Sequence, residues 1–141
     1  MSIAFNVDLS TGVMTWGDNV SNYAFVYEME NILAGSGFDT IVGTDFSNEI
    51  FGGGCDDHIE GRGGHDYLYC ELGDDTILGG SGRDQINGGR ANDNLSGGGQ
   101  NDRIFGSDGN DEIRGGAGDD WLSDGNGHDK LKGGKGQDLL I

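Results

Sequence analysis

Acidic side chains recur at a fixed interval along this chain, and binding of cations is the chemistry such a series could do. The positions are Asp39, Asn48, Asp57, Asp66, Asp75, Asp84, Asp93, Asp102, Asp111, Asp120, Asp129 and Asp138, every ninth residue in turn. Two residues after each comes an Ile or Leu, from Ile41 to Leu140, with no insertion or deletion. A repeat kept in phase this long is the fold itself, each copy being one small unit that must stack on its neighbours. The formal net charge of −17 points the same way. Cations are the expected partners, and nucleic acid and anionic membrane surfaces are not.

The frame around each acid reads Gly-Gly-x-Gly-x-Asp-x-Ile/Leu-x over residues 34–141. Clear copies are Gly79-Gly80-Ser81-Gly82-Arg83-Asp84-Gln85-Ile86-Asn87 and Gly115-Gly116-Ala117-Gly118-Asp119-Asp120-Trp121-Leu122-Ser123. Gly133-Gly134-Lys135-Gly136-Gln137-Asp138 matches as well. These copies resemble the RTX family of calcium-binding nonapeptide repeats, over about three-quarters of the chain. The opening is similar to that family's too, with Val7-Asp8-Leu9-Ser10-Thr11-Gly12 and then Glu30-Asn31-Ile32 running into Gly35-Ser36. The resemblance implies an all-β fold, a right-handed parallel β-roll (solenoid) with calcium as its ion. It also implies a secreted, extracellular protein that a type I system exports unfolded and that folds in external calcium.

The residues give a physical reason for such a fold. Three glycines in six residues permit positive φ at no steric cost, so each loop can curl and turn its carbonyls inward. Calcium takes about six to eight oxygen ligands, from carboxylates and carbonyls alike. One Asp per loop cannot supply them; two neighbouring loops can. The expected ligands are the twelve side chains above with the carbonyls of Gly35, Gly37, Gly53, Gly64, Gly73, Gly80, Gly82, Gly89, Gly98, Gly109, Gly116, Gly118, Gly125, Gly127, Gly134 and Gly136. Two repeats, 18 residues, make one turn, so the chain forms about six turns. Three residues around each Ile or Leu form a strand, odd loops stack on one edge and even loops on the other. Each edge then has six loops and five gaps, at most ten ions in all. Partners share an ion across 18 residues, as Asp102 with Asp120 and Asp111 with Asp129.

Some loops depart from the frame. The second puts Phe46 and Asn48 where Gly and Asp belong; the third, seventh and eighth carry Cys55, Ala91 and Gln100 at the fourth position. The fifth opens Cys70-Glu71-Leu72 and the eleventh opens on Asp124. Because non-glycine residues seldom take positive φ, the loops of Asn48, Cys55, Ala91 and Gln100 are expected to bind weakly or stay empty, and the best-formed sites to lie among repeats nine to twelve and around the sixth.

The chain divides into residues 1–33, an N-terminal capping β segment, and residues 34–141, the roll. Alternation at Ile3, Phe5, Val7 and Leu9 predicts a strand, the turn signal before Val13 a second at Val13 to Trp16 paired back on it, and alternation at Tyr23, Phe25, Tyr27 and Met29 a further stretch. Such a cap closes the first open end of a stacked array. No apolar run reaches the length of a membrane span, and the opening lacks the pattern of a signal peptide. Cys55 and Cys70 fall in neighbouring odd loops at positions three apart, which disfavours a disulfide. His58, His65 and His128 form no metal-protease spacing and read as surface residues. No nucleophile is assembled with a base, so the chain is not expected to be an enzyme.

The outward positions are unequal. Beside the inward residue, even repeats carry Phe51, Tyr67, Tyr69, Phe105 and Trp121, and odd repeats carry no aromatic. A contiguous apolar face marks an interface. Its candidate occupants are the N-terminal segment, a neighbouring domain, a glycan, as in an adhesin or carbohydrate-binding module, or a second copy; a further alternative function is the non-catalytic appendage of a secreted enzyme. The apolar run Leu139-Leu140-Ile141 offers self-association a further surface.

Overall fold

A computed structural model describes residues 31–141 throughout, together with the backbone at 5–8, 13–16 and 21–22. All of its regular elements are strands: β1 (Phe5–Asp8), β2 (Val13–Trp16), β3 (Ser21–Asn22), β4 (Asn31–Ser36), β5 (Thr40–Val42), β6 (Glu49–Gly54), β7 (His58–Gly63) and β8 (Tyr67–Leu72). They continue as β9 (Thr76–Ser81), β10 (Gln85–Arg90), β11 (Asn94–Gly99), β12 (Arg103–Asp108), β13 (Glu112–Ala117), β14 (Trp121–Asn126), β15 (Lys130–Lys135) and β16 (Leu139–Leu140). One sheet runs β15-β13-β11-β9-β7-β5-β1-β2-β3 and the other β16-β14-β12-β10-β8-β6-β4. Odd repeats therefore build one sheet and even repeats the other, in a parallel β-roll of about six coils.

Register follows the sequence period. Ile86 of β10 pairs with Leu68 on one side and Ile104 on the other, 18 residues away in each direction. The same offset holds at Ile77, between Ile59 and Leu95. Each inward side chain thus sits on an inward side chain of the next coil. A slip by one residue would turn the whole column outward, which is why the frame tolerates no insertion.

Most strands are six residues long, not three. They run past the Ile or Leu into the first three residues of the following repeat, as β10 does through Gly88-Gly89-Arg90. The glycines that open a repeat therefore belong to sheet and loop together, and the link between successive strands is left to two residues and the Asp that follows them.

The core is one cluster made of two stacked columns, one from each sheet. Ile41, Ile50, Ile59, Leu68, Ile77, Ile86, Leu95, Ile104, Ile113 and Leu122 are fully buried, and Ile32 of β4 extends the series by one coil. In the last described coil Leu131 is only partly buried and Leu140 is 43% exposed. At the other end β1 adds to the odd sheet beside β5, Val7 opposite Ile41, and β2 pairs back on β1 antiparallel. These are the two N-terminal strands expected from the sequence. The stretch from Tyr23 to Met29 lies outside the described residues, as do Ile3 and Leu9.

The even sheet's outer surface carries the five aromatics. Phe51 and Tyr69, in register on β6 and β8, stack with centroids 5.1 Å apart. Phe105 and Trp121 meet edge to face at 4.8 Å. The core makes a contrast measurable: Ile86→Ala should cost about 2–5 kcal/mol of stability, and Leu140→Ala less than about 0.5 kcal/mol, in urea denaturation of the folded protein.

Candidate metal centre

The loop acids are drawn into the roll by its own backbone. From Asp57 onward, the Asp Oδ1 of each loop accepts a hydrogen bond from the backbone N–H of the corresponding residue one coil earlier. On the odd edge Asp39 donates to Asp57 at 2.8 Å, Asp57 to Asp75 at 2.7 Å, Asp75 to Asp93 at 2.9 Å, Asp93 to Asp111 at 2.9 Å and Asp111 to Asp129 at 2.7 Å. On the even edge the same series runs Asn48 to Asp66, Asp66 to Asp84, Asp84 to Asp102, Asp102 to Asp120 and Asp120 to Asp138. Every partnership expected at 18 residues is present as a contact, including Asp102 with Asp120 and Asp111 with Asp129. Asp39 to Asp120 are buried, Asn48 among them, while Asp129 and Asp138, in the last coil, are half-buried.

The second oxygen of each carboxylate defines a site. Oδ2 of Asp57, Asp66, Asp84, Asp93, Asp102, Asp111 and Asp120 is buried with no hydrogen-bond partner. Each points at the glycine that opens its own repeat. A Cβ placed on Gly79 would stand 2.6 Å from Asp84 Oδ2 and 2.6 Å from the Gly97 carbonyl oxygen of the next coil. At Gly115 the corresponding distances are 2.4 Å to Asp120 Oδ2 and 2.6 Å to the Gly133 oxygen; at Gly106, 2.4 Å to Asp111 Oδ2 and 2.5 Å to the Asp124 oxygen. A carboxylate and a carbonyl from two successive coils therefore converge on a point that only glycine leaves open. Such oxygen-only, mixed donor sets suit a hard divalent cation such as calcium. No group of three or more His, Cys, Asp or Glu side chains gathers among the described residues, so backbone carbonyls are needed to complete any such shell.

Carbonyls at the second and fourth positions also face the neighbouring coil. A Cβ on Gly82 would meet the Gly64 oxygen at 1.4 Å, and one on Gly98 the Gly80 oxygen at 2.1 Å. All the glycines expected to present carbonyls have positive φ except Gly37. The first-position carbonyls of Gly97, Gly133 and Asp124 were not among the expected ligands. For Gly97 and Gly133 the signal is the glycine that opens every even repeat, from Gly43 to Gly133, which φ does not explain; Asp124 has none.

Burial sets the electrostatics. It raises the carboxyls of Asp57, Asp66, Asp93 and Asp102 from 3.8 to about 7; the backbone N–H of the preceding coil offsets this in part, and the neighbouring acids add to it. Asp84, Asp111 and Asp120 are raised by the same burial. Asp75 reaches only about 6, with burial again the largest cause and the backbone N–H and the Cys70 thiol both acting to lower it.

Most of the imperfect loops keep the conformation of the glycine loops. Cys55, Ala91 and Gln100 take φ of 75°, 78° and 76°, so these loops keep the glycine curl, at the strain such a backbone imposes on an L side chain. Arg62, Glu71 and Ser107 do the same at the second position, which places a strained residue within repeat nine. The second repeat alone abandons the curl: neither Thr44 nor Phe46 has positive φ, and Asn48 Oδ1 instead accepts from the Thr44 N–H at 2.7 Å. Cys55 and Cys70 are both free thiols.

The variable fifth position also has a structural role. Asp74 Oδ1 accepts from the Asn92 N–H at 2.8 Å, and Asn92 Oδ1 from the Asn110 N–H at 3.0 Å, so polar side chains ladder along the odd edge. His65 joins the even-edge series by accepting from the Arg83 N–H through Nδ1 at 2.9 Å. His65 thus does more than occupy surface, whereas the His128 side chain receives no such bond among the described contacts.

A parallel roll with buried carboxylates and facing carbonyls at each coil defines a cation-binding solenoid. The family model for the RTX calcium-binding nonapeptide repeat, in four-copy form, matches residues 33–68, 71–104 and 105–140. The chain belongs to that family. No curated protein matches the chain as a relative.

The raised carboxyls fix a pH dependence. A carboxyl whose folded pKa lies above its unfolded value stabilises the fold fully below the unfolded value of 3.8 and loses that contribution as pH rises through about 7. Cation-stripped protein should therefore gain β-signal in circular dichroism on acidification from pH 8 to 5. Calcium affinity should move the opposite way, weakening over the same range as the ligands take up protons.

Proposed function

We propose that this chain is a calcium-dependent folding module, a structural part of a secreted protein that orders itself in the calcium of the extracellular medium. The observation carrying this reading is the repeated buried Oδ2, unpartnered and set against a carbonyl of the next coil. A buried, unpaired carboxylate is among the costliest groups in a fold, and here it recurs in seven loops between Asp57 and Asp120. The ligands are the lattice side chains from Asp39 to Asp138, with Asn48 a weak member, and the carbonyls of the first, second and fourth loop positions. Bound calcium supplies the positive charge and the coordination that these oxygens lack.

The chain's own residues do the remainder of the work. The Ile and Leu columns fix the coil spacing, the Asp-to-backbone bonds aim each carboxylate, and the glycines keep the ligand space open. Without cation, self-repulsion of a chain of charge −17 opposes compaction. Extracellular calcium, in the millimolar range, saturates weak extracellular sites of this kind. Secretion through a type I system and the absence of an enzymatic role belong to this reading, supported by family membership and by a site made of carbonyls and carboxylates alone. Nucleic acid is disfavoured as a partner by the acidic charge. No helix among the described residues is long and apolar enough to cross a membrane.

A second reading concerns the even face. Asn31, Phe46, Ser47, Glu49, His65, Tyr67 and Tyr69 line an open cleft beside the stacked Phe51–Tyr69 pair. Exposed rings bordered by planar polar groups suit the apolar face and hydroxyls of a sugar, so an adhesive or carbohydrate-binding role is the alternative function. Loss of glycan-array binding in a Tyr67→Ala, Tyr69→Ala, Trp121→Ala variant that still binds calcium would support it, and no binding by the parent chain would remove it.

For the leading reading, calcium added to stripped protein should build β-signal cooperatively. Asp120→Ala should weaken binding on both sides of its loop, because Asp120 contacts Asp102 in one direction and Asp138 in the other. A titration of this variant that matches the parent protein would reject the shared-ligand geometry.

A further inference from the structure

The two edges of the roll are not equivalent at the position that leaves the ligand space open. On the even edge every repeat opens with glycine: Gly43, Gly61, Gly79, Gly97, Gly115 and Gly133. On the odd edge three do, Gly52, Gly88 and Gly106, while Ala34, Cys70 and Asp124 stand in the others. At Gly61, Gly79, Gly106 and Gly115 the point that a first-position Cβ would occupy is the one on which the Asp Oδ2 and a carbonyl of the next coil converge. The Cβ point lies 2.2–2.6 Å from the Oδ2 at every first-position glycine whose repeat carries Asp.

Ala34 and Asp124 fall in the first and last odd loops. Cys70 falls inside the array, in the third of six, with coils paired to its loop on both sides. Its side chain is fully buried, so it cannot swing out to solvent and leave the space free. The coil around it is otherwise regular: Asp57 donates to Asp75 Oδ1, Asp75 to Asp93 Oδ1, and Ile77 stays in its core column.

We propose that Cys70 plugs the calcium site of its own loop, and that this interrupts the odd-edge series while the even edge loads as a continuous one. The proposal rests on the calcium-binding reading of the loops. Glu71, also in this loop, holds the second-position curl at φ 73°, so the backbone is formed and the missing element is space. The parent protein then has two classes of site, an even series and a divided odd series.

The test is bound calcium per chain, measured by atomic emission after gel filtration in millimolar calcium, for the parent protein, Cys70→Gly and Cys70→Ser. Cys70→Gly reopens the space and should bind at least one more ion than the parent, with a calcium titration midpoint shifted to lower concentration. Cys70→Ser keeps a side chain in the space and should bind as the parent does. Equal stoichiometry and midpoint for the parent and Cys70→Gly would overturn the plug, as would a gain in Cys70→Ser equal to that in Cys70→Gly. If the parent binds no calcium at all, the functional reading fails and takes the plug with it. Calcium binding by the parent that Cys70→Gly leaves unchanged refutes the plug alone.

Discussion

A carboxylate held inside a coil by one oxygen, with its other oxygen unanswered, is the interaction on which the rest of this structure depends. The backbone N–H of the preceding coil fixes Oδ1 and so decides where Oδ2 must lie. Burial then makes that second oxygen costly, and successive coils multiply the cost because the next acid lies in the next coil on the same edge. Apolar burial cannot offset this, with one Ile or Leu for every nine residues and a backbone unusually rich in glycine, the residue that loses most freedom on ordering. The fold is thus built around a charge that something outside the chain must neutralise.

The glycine content follows from the same constraint, and for two separate reasons. At the fourth position, as in Gly82, glycine is favoured by backbone conformation and by the approach of the preceding coil's carbonyl. Cys55, Ala91 and Gln100 show that conformation can be met with strain by other residues. At the first position, as in Gly79, φ is ordinary and glycine keeps a space beside Oδ2. A substitution of the first kind strains a loop; one of the second kind removes room for a ligand. That distinction sets Cys70, with Ala34 and Asp124, apart from the departures at the second and fourth positions and makes the two edges unequal.

Much of this could be read from the chain before any coordinates. The nine-residue lattice fixed the two-sheet roll, the inward columns and the 18-residue partnership, because a period of two strands per coil admits one stacking register. The strand at Phe5–Asp8 was visible from alternation, and the one at Val13–Trp16 from the turn signal that precedes it. Strand length was not: the opening glycines look like loop residues by propensity, and only stacking on identical backbone makes them extend the sheet. The tolerance of Ala91 and Gln100 for positive φ was also hidden, since neighbouring coils over-determine a conformation that these residues would avoid on their own. The fifth-position ladder from Asp74 to Asn110 escaped for a related reason. Its residues vary in type and share only the ability to accept a backbone N–H.

The direct test of the central claim is the size of the chain with and without its cation. Small-angle scattering at pH 8 should give a radius of gyration near that of a compact chain in millimolar calcium, roughly 15 Å, and near that of an unfolded one after chelation, roughly 39 Å by chain-length scaling. A chain equally compact in both would contradict the claim that its buried carboxylates require an external charge.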